Sequence, residues 1–107
     1  MRVRWLRSAL RNLDEEASYI ARDDPGAAHV VVQRVLETVA ALGEQPALGR
    51  PGRVAGTREL IVPKTRYIVP YRVRGQTVEV LRVFHIVQAL AAAVVIRNNR
   101  RGCFRLT

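Results

Sequence analysis

A histidine and six basic side chains lie in the second half of the chain, and they are the residues best suited to chemistry. They are Arg58, Lys64, Arg66, Arg72, Arg74, Arg82 and His85. An arginine guanidinium forks onto phosphate or carboxylate groups and stacks on flat rings. The imidazole of a histidine exchanges a proton near neutral pH. These side chains suit the binding of an anionic group, with proton transfer as a further possibility.

The composition excludes several other kinds of site. Cys103 is the only cysteine, which excludes an intramolecular disulfide, a cysteine-based zinc site and a paired redox motif. The second histidine, His29, has no cysteine or acidic cluster beside it that would complete a metal site. Gly49, Gly52 and Gly56 lack the Lys-Ser/Thr pair that follows a phosphate-binding loop. We therefore predict no metal ion and no cofactor.

The positive charge is concentrated in one half of the chain. The 107 residues carry a formal net charge of +9. Residues 1–43 hold six arginines and six acidic residues, whereas residues 44–107 hold twelve cations and three glutamates. Charge alone therefore favours a nucleic-acid-binding protein. The length indicates a single small domain.

The location of the protein is predicted from its apolar segments. The N-terminus has no apolar run of signal-peptide length. The longest apolar stretch, residues 86–96, is shorter than the roughly 20 residues that span a bilayer. A single cysteine also fits a reducing compartment. We expect a cytoplasmic protein without a membrane partner.

A short strand and two helices are predicted in the N-terminal region. Residues 2–5 alternate polar and apolar, as a strand does. Apolar residues at spacings of three and four then predict an amphipathic helix, with a stripe formed by Leu10, Leu13, Ala17 and Ile20. Asp24 followed by Pro25 is typical of a second helix start, and Gly43 of its end. The short link at 22–24 predicts an antiparallel helical hairpin.

A loop and three strands are predicted next. Prolines and glycines interrupt any regular pattern over residues 44–57. Strands rich in Val, Ile, Leu and Tyr follow over residues 58–62, 66–73 and 77–84,. Their short links predict a small antiparallel sheet packed by the helical hairpin, an α+β fold of order β-α-α-β-β-β. Pro70 lacks an N–H group, which predicts a bulge or a backbone position facing away from a partner strand.

Four aromatic side chains are predicted to pack between the sheet and the helices. Trp5 and Tyr19 are expected to bury large apolar areas there. Tyr67 and Tyr71 lie two residues apart on one strand and so share a face. They could stack on bases, but packing against the helices is the favoured interpretation.

Five segments match, in order, the elements of one known family. Their sequences are LRNLDEEASYIA at 10–21, PALGRPG at 46–52, GTREL at 56–60, YIVPYRV at 67–73 and VEVLRVFH at 78–85. Together they resemble the RelE/ParE superfamily of toxins from bacterial toxin-antitoxin modules. The resemblance runs from about Val3 to His85. We therefore interpret residues 1–85 as a toxin domain and residues 86–107, predicted as a helix, as an atypical tail of the same domain.

The resemblance implies a partner and two alternative targets. Toxins similar to ParE poison DNA gyrase, whereas toxins similar to RelE cleave mRNA on the ribosome, and the fold does not choose between them. Such modules also act in plasmid stabilization. A cognate antitoxin similar to ParD or RelB would hold the toxin inactive, folding on it and neutralising its arginines.

The RelE-like alternative would use Arg66, Arg82 and His85 as catalytic residues. Cleavage through the 2′-hydroxyl needs a proton acceptor and cations that stabilise the developing charge. In a regular strand Arg82 and His85 point to opposite faces unless a bulge intervenes. The tail after His85 is also apolar, where nucleases of this family have polar or aromatic groups. Inhibition of gyrase is therefore the favoured interpretation.

The remaining basic residues are predicted to contact the target or the antitoxin. These are Arg58, Lys64, Arg72 and Arg74. The simpler alternative is that strand arginines only solvate the sheet or pair with Glu59 and Glu79. A plain nucleic-acid-binding protein ranks last, because the strands lack the exposed aromatic and glycine pattern of RNA-binding sheets.

The tail carries a separate hypothesis. The likeness to the family stops abruptly at His85, so we predict that residues 86–107 replace the usual ending through a frameshift or readthrough. Translation of the other two reading frames downstream of the His85 codon tests this. A family-like ending in neither frame would rule it out.

Overall fold

The computed structural model describes residues 1–86 of the chain. The predicted tail helix falls on residues 86–107 and so lies almost wholly outside the described residues. Within them are two helices, α1 (Arg7–Ala21) and α2 (Pro25–Ala40), with a single 3₁₀ turn (Ala41–Gly43) after α2. The strands are β1 (Arg2–Trp5), β2 (Arg50–Pro51), β3 (Arg58–Ile61), β4 (Tyr67–Arg74), β5 (Thr77–Val80) and β6 (Phe84–His85). This order confirms the predicted α+β class.

The start of α2 is fixed by a local signal in the sequence. The Asp24 side chain accepts a hydrogen bond from the backbone N–H of Ala27 at 3.0 Å. Pro25 occupies the first position of the helix, where its missing N–H costs nothing,. The link between α1 and α2 is therefore short, and the two helices pack against each other as predicted.

Replacing Asp24 with alanine is expected to destabilise the protein by about 1 kcal/mol, because the first turn of α2 loses its side-chain acceptor. Urea unfolding of the purified chain measures the change. Asp23→Ala is the matched control, since Asp23 is exposed and lies one residue before the cap. Equal effects of the two substitutions would contradict the capping role of Asp24.

The sheet is mixed, with the strand order β1-β5-β4-β3-β2. The β3, β4 and β5 strands form the predicted antiparallel meander, and Gly75, with φ of 60°, closes the tight β4–β5 hairpin,. The expectation of a purely antiparallel sheet is wrong for β1, which pairs with β5 in parallel. The helical hairpin joins β1 to β2, which lie at opposite edges of the sheet. Part of the predicted loop also forms β2, which pairs with the start of β3.

A bulge interrupts the last predicted strand opposite Pro70. Tyr71 pairs with Val80, and Ile68 pairs with Phe84. Two residues of β4 therefore face three residues, 81–83, on the neighbouring segment. One extra residue on one side is the defining feature of a bulge. The bulge predicted from Pro70 is confirmed, and it divides the predicted strand at 77–84 into β5 and β6.

Side chains of α1 complete the hydrogen bonding of the bulge. The backbone N–H of Leu81 donates to the Pro70 carbonyl at 2.9 Å. Proline cannot donate in return, and the Leu81 carbonyl instead accepts from the Ser8 hydroxyl at 2.8 Å. The Val83 N–H donates to Asn12 Oδ1 at 3.2 Å. The bulge therefore leaves these backbone groups satisfied.

The core lies between the helices and one face of the sheet. Its buried residues include Val35, Val39, Leu42, Leu60, Val69, Val78, Val80 and Val83. Trp5 packs against this core and confirms its predicted role. Tyr19 does not, because its residue is 68% exposed on the outer side of α1. Leu10 is also exposed, and Ala9 takes the buried position at that turn.

Candidate functional site

The two faces of the sheet separate His85 from Arg72 and Arg74. Tyr67 and Tyr71 of β4 belong to the core on the face covered by the helices. Arg72 and Arg74 alternate with them and lie on the opposite face, called here the outer face. His85 pairs directly with Tyr67 and so lies on the helix-covered face. The bulge causes this, because it shifts the alternation by one residue after Val80.

His85 contacts Tyr67 of β4 and shares an open cleft with residues of α1. Its ring meets the Tyr67 ring edge-on, with the centroids 5.3 Å apart. The Tyr67 hydroxyl donates to Glu16 Oε1 at 2.9 Å. Burial of the phenol, and then its hydrogen bond to Glu16, raise the pKa of Tyr67,. Beside His85 lies an open cleft of about 720 Å³. Its lining residues are Asp14, Glu15, Glu16, Ser18, Tyr19, Arg22 and His85. The imidazole therefore borders an acidic cleft.

The other two predicted catalytic residues do not line this cleft, although the Arg66 carbonyl accepts a hydrogen bond at 2.6 Å from the N–H of Ile86, the residue after His85. Arg66 is exposed just before β4. Arg82 is half-buried within the bulge. Neither lines the cleft that His85 borders. The structure does not gather the three residues around one cavity in the described part of the chain.

The outer face contains a nearly buried carboxylate surrounded by arginines. Glu79 is only 6% exposed. It accepts a hydrogen bond from Arg72 Nε at 2.7 Å, and Arg74 Nε lies 3.9 Å away. The Arg72 hydrogen bond is the main reason that the pKa of Glu79 is lowered, with weaker contributions from the charges of Arg74 and Arg4,. Pairing of strand arginines with Glu79 is thus confirmed for Arg72.

The lowered pKa of Glu79 predicts how stability depends on pH. A carboxyl group with a lower pKa in the folded state stabilises the fold above its unfolded pKa of 4.5,. That stabilisation is lost as the pH falls from this value through the folded-state pKa. Glu79→Gln is therefore expected to reduce stability at neutral pH and to flatten the loss of stability below pH 4.5.

Thermal unfolding between neutral and acidic pH measures both effects. Glu44→Gln is the matched control, because Glu44 is exposed. It removes the same charge away from the outer face. If stability depended on pH in the same way in both variants, the Glu79 carboxylate would not be the source of the predicted pH dependence.

A second glutamate on this face organises the loop before β3. Glu59 is 7% exposed, and its Oε2 accepts from Arg53 Nε at 3.1 Å. Arg50 lies 3.7 Å from the other carboxylate oxygen. These contacts hold the chain of residues 50–53 against β3. The partners of Glu59 are thus Arg50 and Arg53, which were predicted in the loop, and not the arginines of the predicted strands.

The predicted contact residues have different roles in the structure. Arg58 donates to the Gly49 carbonyl at 2.6 Å and so braces the loop. Lys64 is exposed in the β3–β4 turn, with a left-handed φ of 61°. Arg74 projects from the end of β4 with 69% of its side chain exposed. Lys64 and Arg74 are therefore the members of this set best placed to meet another molecule.

Sequence reasoning did not identify the anchor of the loop, which is Tyr71. Its buried hydroxyl accepts from the Gly49 N–H at 2.8 Å and donates to the Pro46 carbonyl at 2.7 Å. A Cβ at Gly49 would lie 2.8 Å from that hydroxyl and 2.9 Å from the Glu59 carbonyl oxygen. A side chain at position 49 would therefore displace the tyrosine. The sequence signal for this contact was only that a tyrosine, Tyr71, lies in a predicted strand and that a glycine, Gly49, lies in the loop before it.

Two further properties apply to residues 1–86. No helix in this range is long and apolar enough to cross a membrane. No three histidine, cysteine, aspartate or glutamate side chains there are grouped as ligands for a metal ion. The acidic cleft beside His85 and the basic outer face, described above, make up the candidate site.

Residues 3–89 match the sequence model of a protein family. That family is described as the ParE toxin of the type II toxin-antitoxin system parDE. A curated protein of Sinorhizobium fredii, named "Putative toxin Y4kP", is 52% identical over 84 residues, which are 78% of this chain and 86% of that protein.

Two solved structures are similar in fold and sequence. A chain of the chromosomal ParDE system of Pseudomonas aeruginosa superposes with a TM-score of 0.72 at 30% identity, covering 80% of this chain and 96% of that one. A chain of the toxin-antitoxin complex RelBE2 of Mycobacterium tuberculosis gives 0.55 at 27% identity, covering 78% and 95%. The chain therefore belongs to the ParE toxin family of type II toxin-antitoxin systems, within the ParE/RelE superfamily.

Proposed function

We propose that this toxin inhibits DNA gyrase through protein contacts and performs no chemistry of its own. Membership of the ParE family supports this target. The observation that carries the absence of chemistry is the position of His85. Its ring packs on Tyr67 beside the carboxylates of α1, whereas Arg72 and Arg74 lie on the outer face. A general base needs to reach the same substrate as the cations that stabilise the charge.

The partner that we propose is a cognate antitoxin similar to ParD. The solved relatives come from a ParDE system and from a RelBE2 toxin-antitoxin complex. We expect an acidic segment of the antitoxin to meet Lys64, Arg72 and Arg74, because complementary charge speeds and directs association. Arg58 acts indirectly by bracing the loop. Gyrase lies in the cytoplasm, which is where we expect the toxin to act.

The alternative is a ribosome-dependent mRNA endoribonuclease similar to RelE. The observation that favours this alternative is the similarity to a chain of the RelBE2 complex, which is 27% identical to this chain. In that case Arg66, Arg82 and His85 would be the catalytic residues. They would have to approach one another on the ribosome, because the structure does not gather them around one cavity.

Controlled expression with and without the antitoxin distinguishes the two functions. The gyrase function predicts growth arrest with intact mRNA, relieved by the antitoxin. Mapping the 5′ ends of cellular mRNA distinguishes the two functions. New ends in phase with codons would establish the endoribonuclease. Unimpaired growth without the antitoxin would contradict both functions.

The division between domain and tail stays a proposal. We propose that residues 1–85 form the toxin domain, although the family match extends to residue 89. The tail hypothesis is still tested by the reading frames downstream of the His85 codon.

A further inference from the structure

Two rows of side chains cross the outer face from β1 over β5 to β4. The pairing register places Glu79 directly between Arg4 and Arg72, and Thr77 directly between Arg2 and Arg74. Residues that pair in register share a face, and so do alternate residues of one strand. The six side chains therefore project from one surface, called here the arginine rows.

The arginine rows carry an excess of positive charge. Glu79 neutralises one of the four arginines, and three unit charges remain. Arg2, Arg4 and Arg74 are exposed, and 37% of the Arg72 side chain is exposed. Strands lie about 4.8 Å apart and alternate residues about 6.8 Å apart, so the four arginines start from an area of roughly 10 by 7 Å. Such a concentration of one sign attracts anions strongly.

Glu79 also organises the arginines around it. Its carboxylate is nearly buried and holds Arg72 by a hydrogen bond of 2.7 Å. Fixing one guanidinium in advance reduces the side-chain entropy that binding would otherwise cost. Arg74 lies 3.9 Å from the same carboxylate oxygen. The surface is thus partly organised before any ligand arrives.

We propose that the arginine rows bind the phosphodiester backbone of a nucleic acid, independently of its sequence. Guanidinium groups match phosphate oxygens in geometry and charge. The six residues include no aromatic ring that could stack on a base, which favours contact with phosphates alone. A polyanion also releases condensed counterions on binding, a gain that a short acidic peptide does not offer.

This surface goes beyond the proposed function, because it requires neither gyrase nor antitoxin. Arg2 and Arg4 lie on β1, at the end of the sheet opposite to β3 and the loop. Both candidate targets hold nucleic acid, so a phosphate contact would strengthen the binding of either one. Bound antitoxin would compete for Arg72 and Arg74, and the free toxin is therefore the form to test.

Fluorescence anisotropy of a labelled single-stranded oligonucleotide of mixed sequence tests the proposal. The full chain is titrated at salt concentrations from about 50 to 200 mM, where single strands give a slope of about −0.7 per phosphate contact. Arg2→Gln with Arg4→Gln is expected to reduce the slope by about 1.4 and the affinity at 0.1 M salt by about 25-fold. Arg74→Gln, at a highly exposed side chain, provides a second variant that does not depend on β1.

The matched control is Arg7→Gln with Arg11→Gln, which removes two exposed charges from α1. It is expected to change the slope by less than the double variant of β1. Equal losses in the two double variants would mean that only total charge matters, and would overturn the proposal. Salt-independent or absent binding by the unaltered chain would overturn it too. Displacement of the labelled oligonucleotide by a poly-glutamate peptide at a lower charge concentration than an unlabelled oligonucleotide requires would assign the surface to acidic proteins instead.

Discussion

Replacing Tyr71 with phenylalanine is expected to destabilise the protein by about 2 kcal/mol. The ring stays in the core, but the hydroxyl that binds the Gly49 N–H and the Pro46 carbonyl is lost. Tyr71 is fully buried, so the Gly49 N–H would be left without a partner. An unsatisfied buried group costs more than the net energy of the hydrogen bond itself.

Urea unfolding of the two tyrosine variants measures this effect. Tyr19→Phe is the control, because that residue is 68% exposed and its hydroxyl can bond to water. The control is expected to unfold at the same urea concentration as the unaltered chain. Equal stability of Tyr71→Phe and the unaltered chain would show that the loop is held by other contacts, such as the Arg58 brace.

Expression of the toxin without its antitoxin is expected to arrest growth, and His85→Ala is expected to arrest it equally. The proposed gyrase inhibition needs no proton transfer by the imidazole. If His85 were a general acid or base, its loss would reduce the rate by about 100- to 10,000-fold. The two functions therefore predict very different toxicity for this variant.

The measurement is colony formation after induction at several expression levels, with the amount of folded toxin determined in each strain. Because His85 packs against Tyr67, thermal unfolding of the purified variant separates a loss of fold from a loss of activity. A folded but harmless His85→Ala toxin would favour the endoribonuclease. A folded toxin that still arrests growth would exclude the imidazole from the mechanism.

The helices could be predicted from the sequence because their signals are local. Asp24 and Pro25 specify the start of α2 within three residues. The neighbour of β1 could not be predicted, because alternation over four residues indicates a strand but not its partner. Its parallel pairing with β5 depends on contacts more than 70 residues apart.

The bulge was predictable in position but not in its consequence. Pro70 lacks a donor and so indicates an interruption in the sheet. The extra residue lies on the facing segment, where Ser8 and Asn12 of α1 complete the hydrogen bonds. The extra residue shifts the alternation and places His85 on the face that the helices cover. The sequence alternation therefore assigned His85 to the wrong neighbours.

The basic site was predictable in composition but not in arrangement. Arg72 and Arg74 could be placed on one strand, and Glu79 could be considered as their partner. Arg2 and Arg4 join them only because β1 pairs with β5 in this register. The arginine rows therefore became visible only in the structure.

Inhibition of purified DNA gyrase by the purified chain tests the central claim most directly. We predict that the toxin blocks supercoiling of relaxed plasmid, that His85→Ala blocks it to the same extent, and that added antitoxin restores it. Full supercoiling activity in the presence of excess folded toxin would contradict the account.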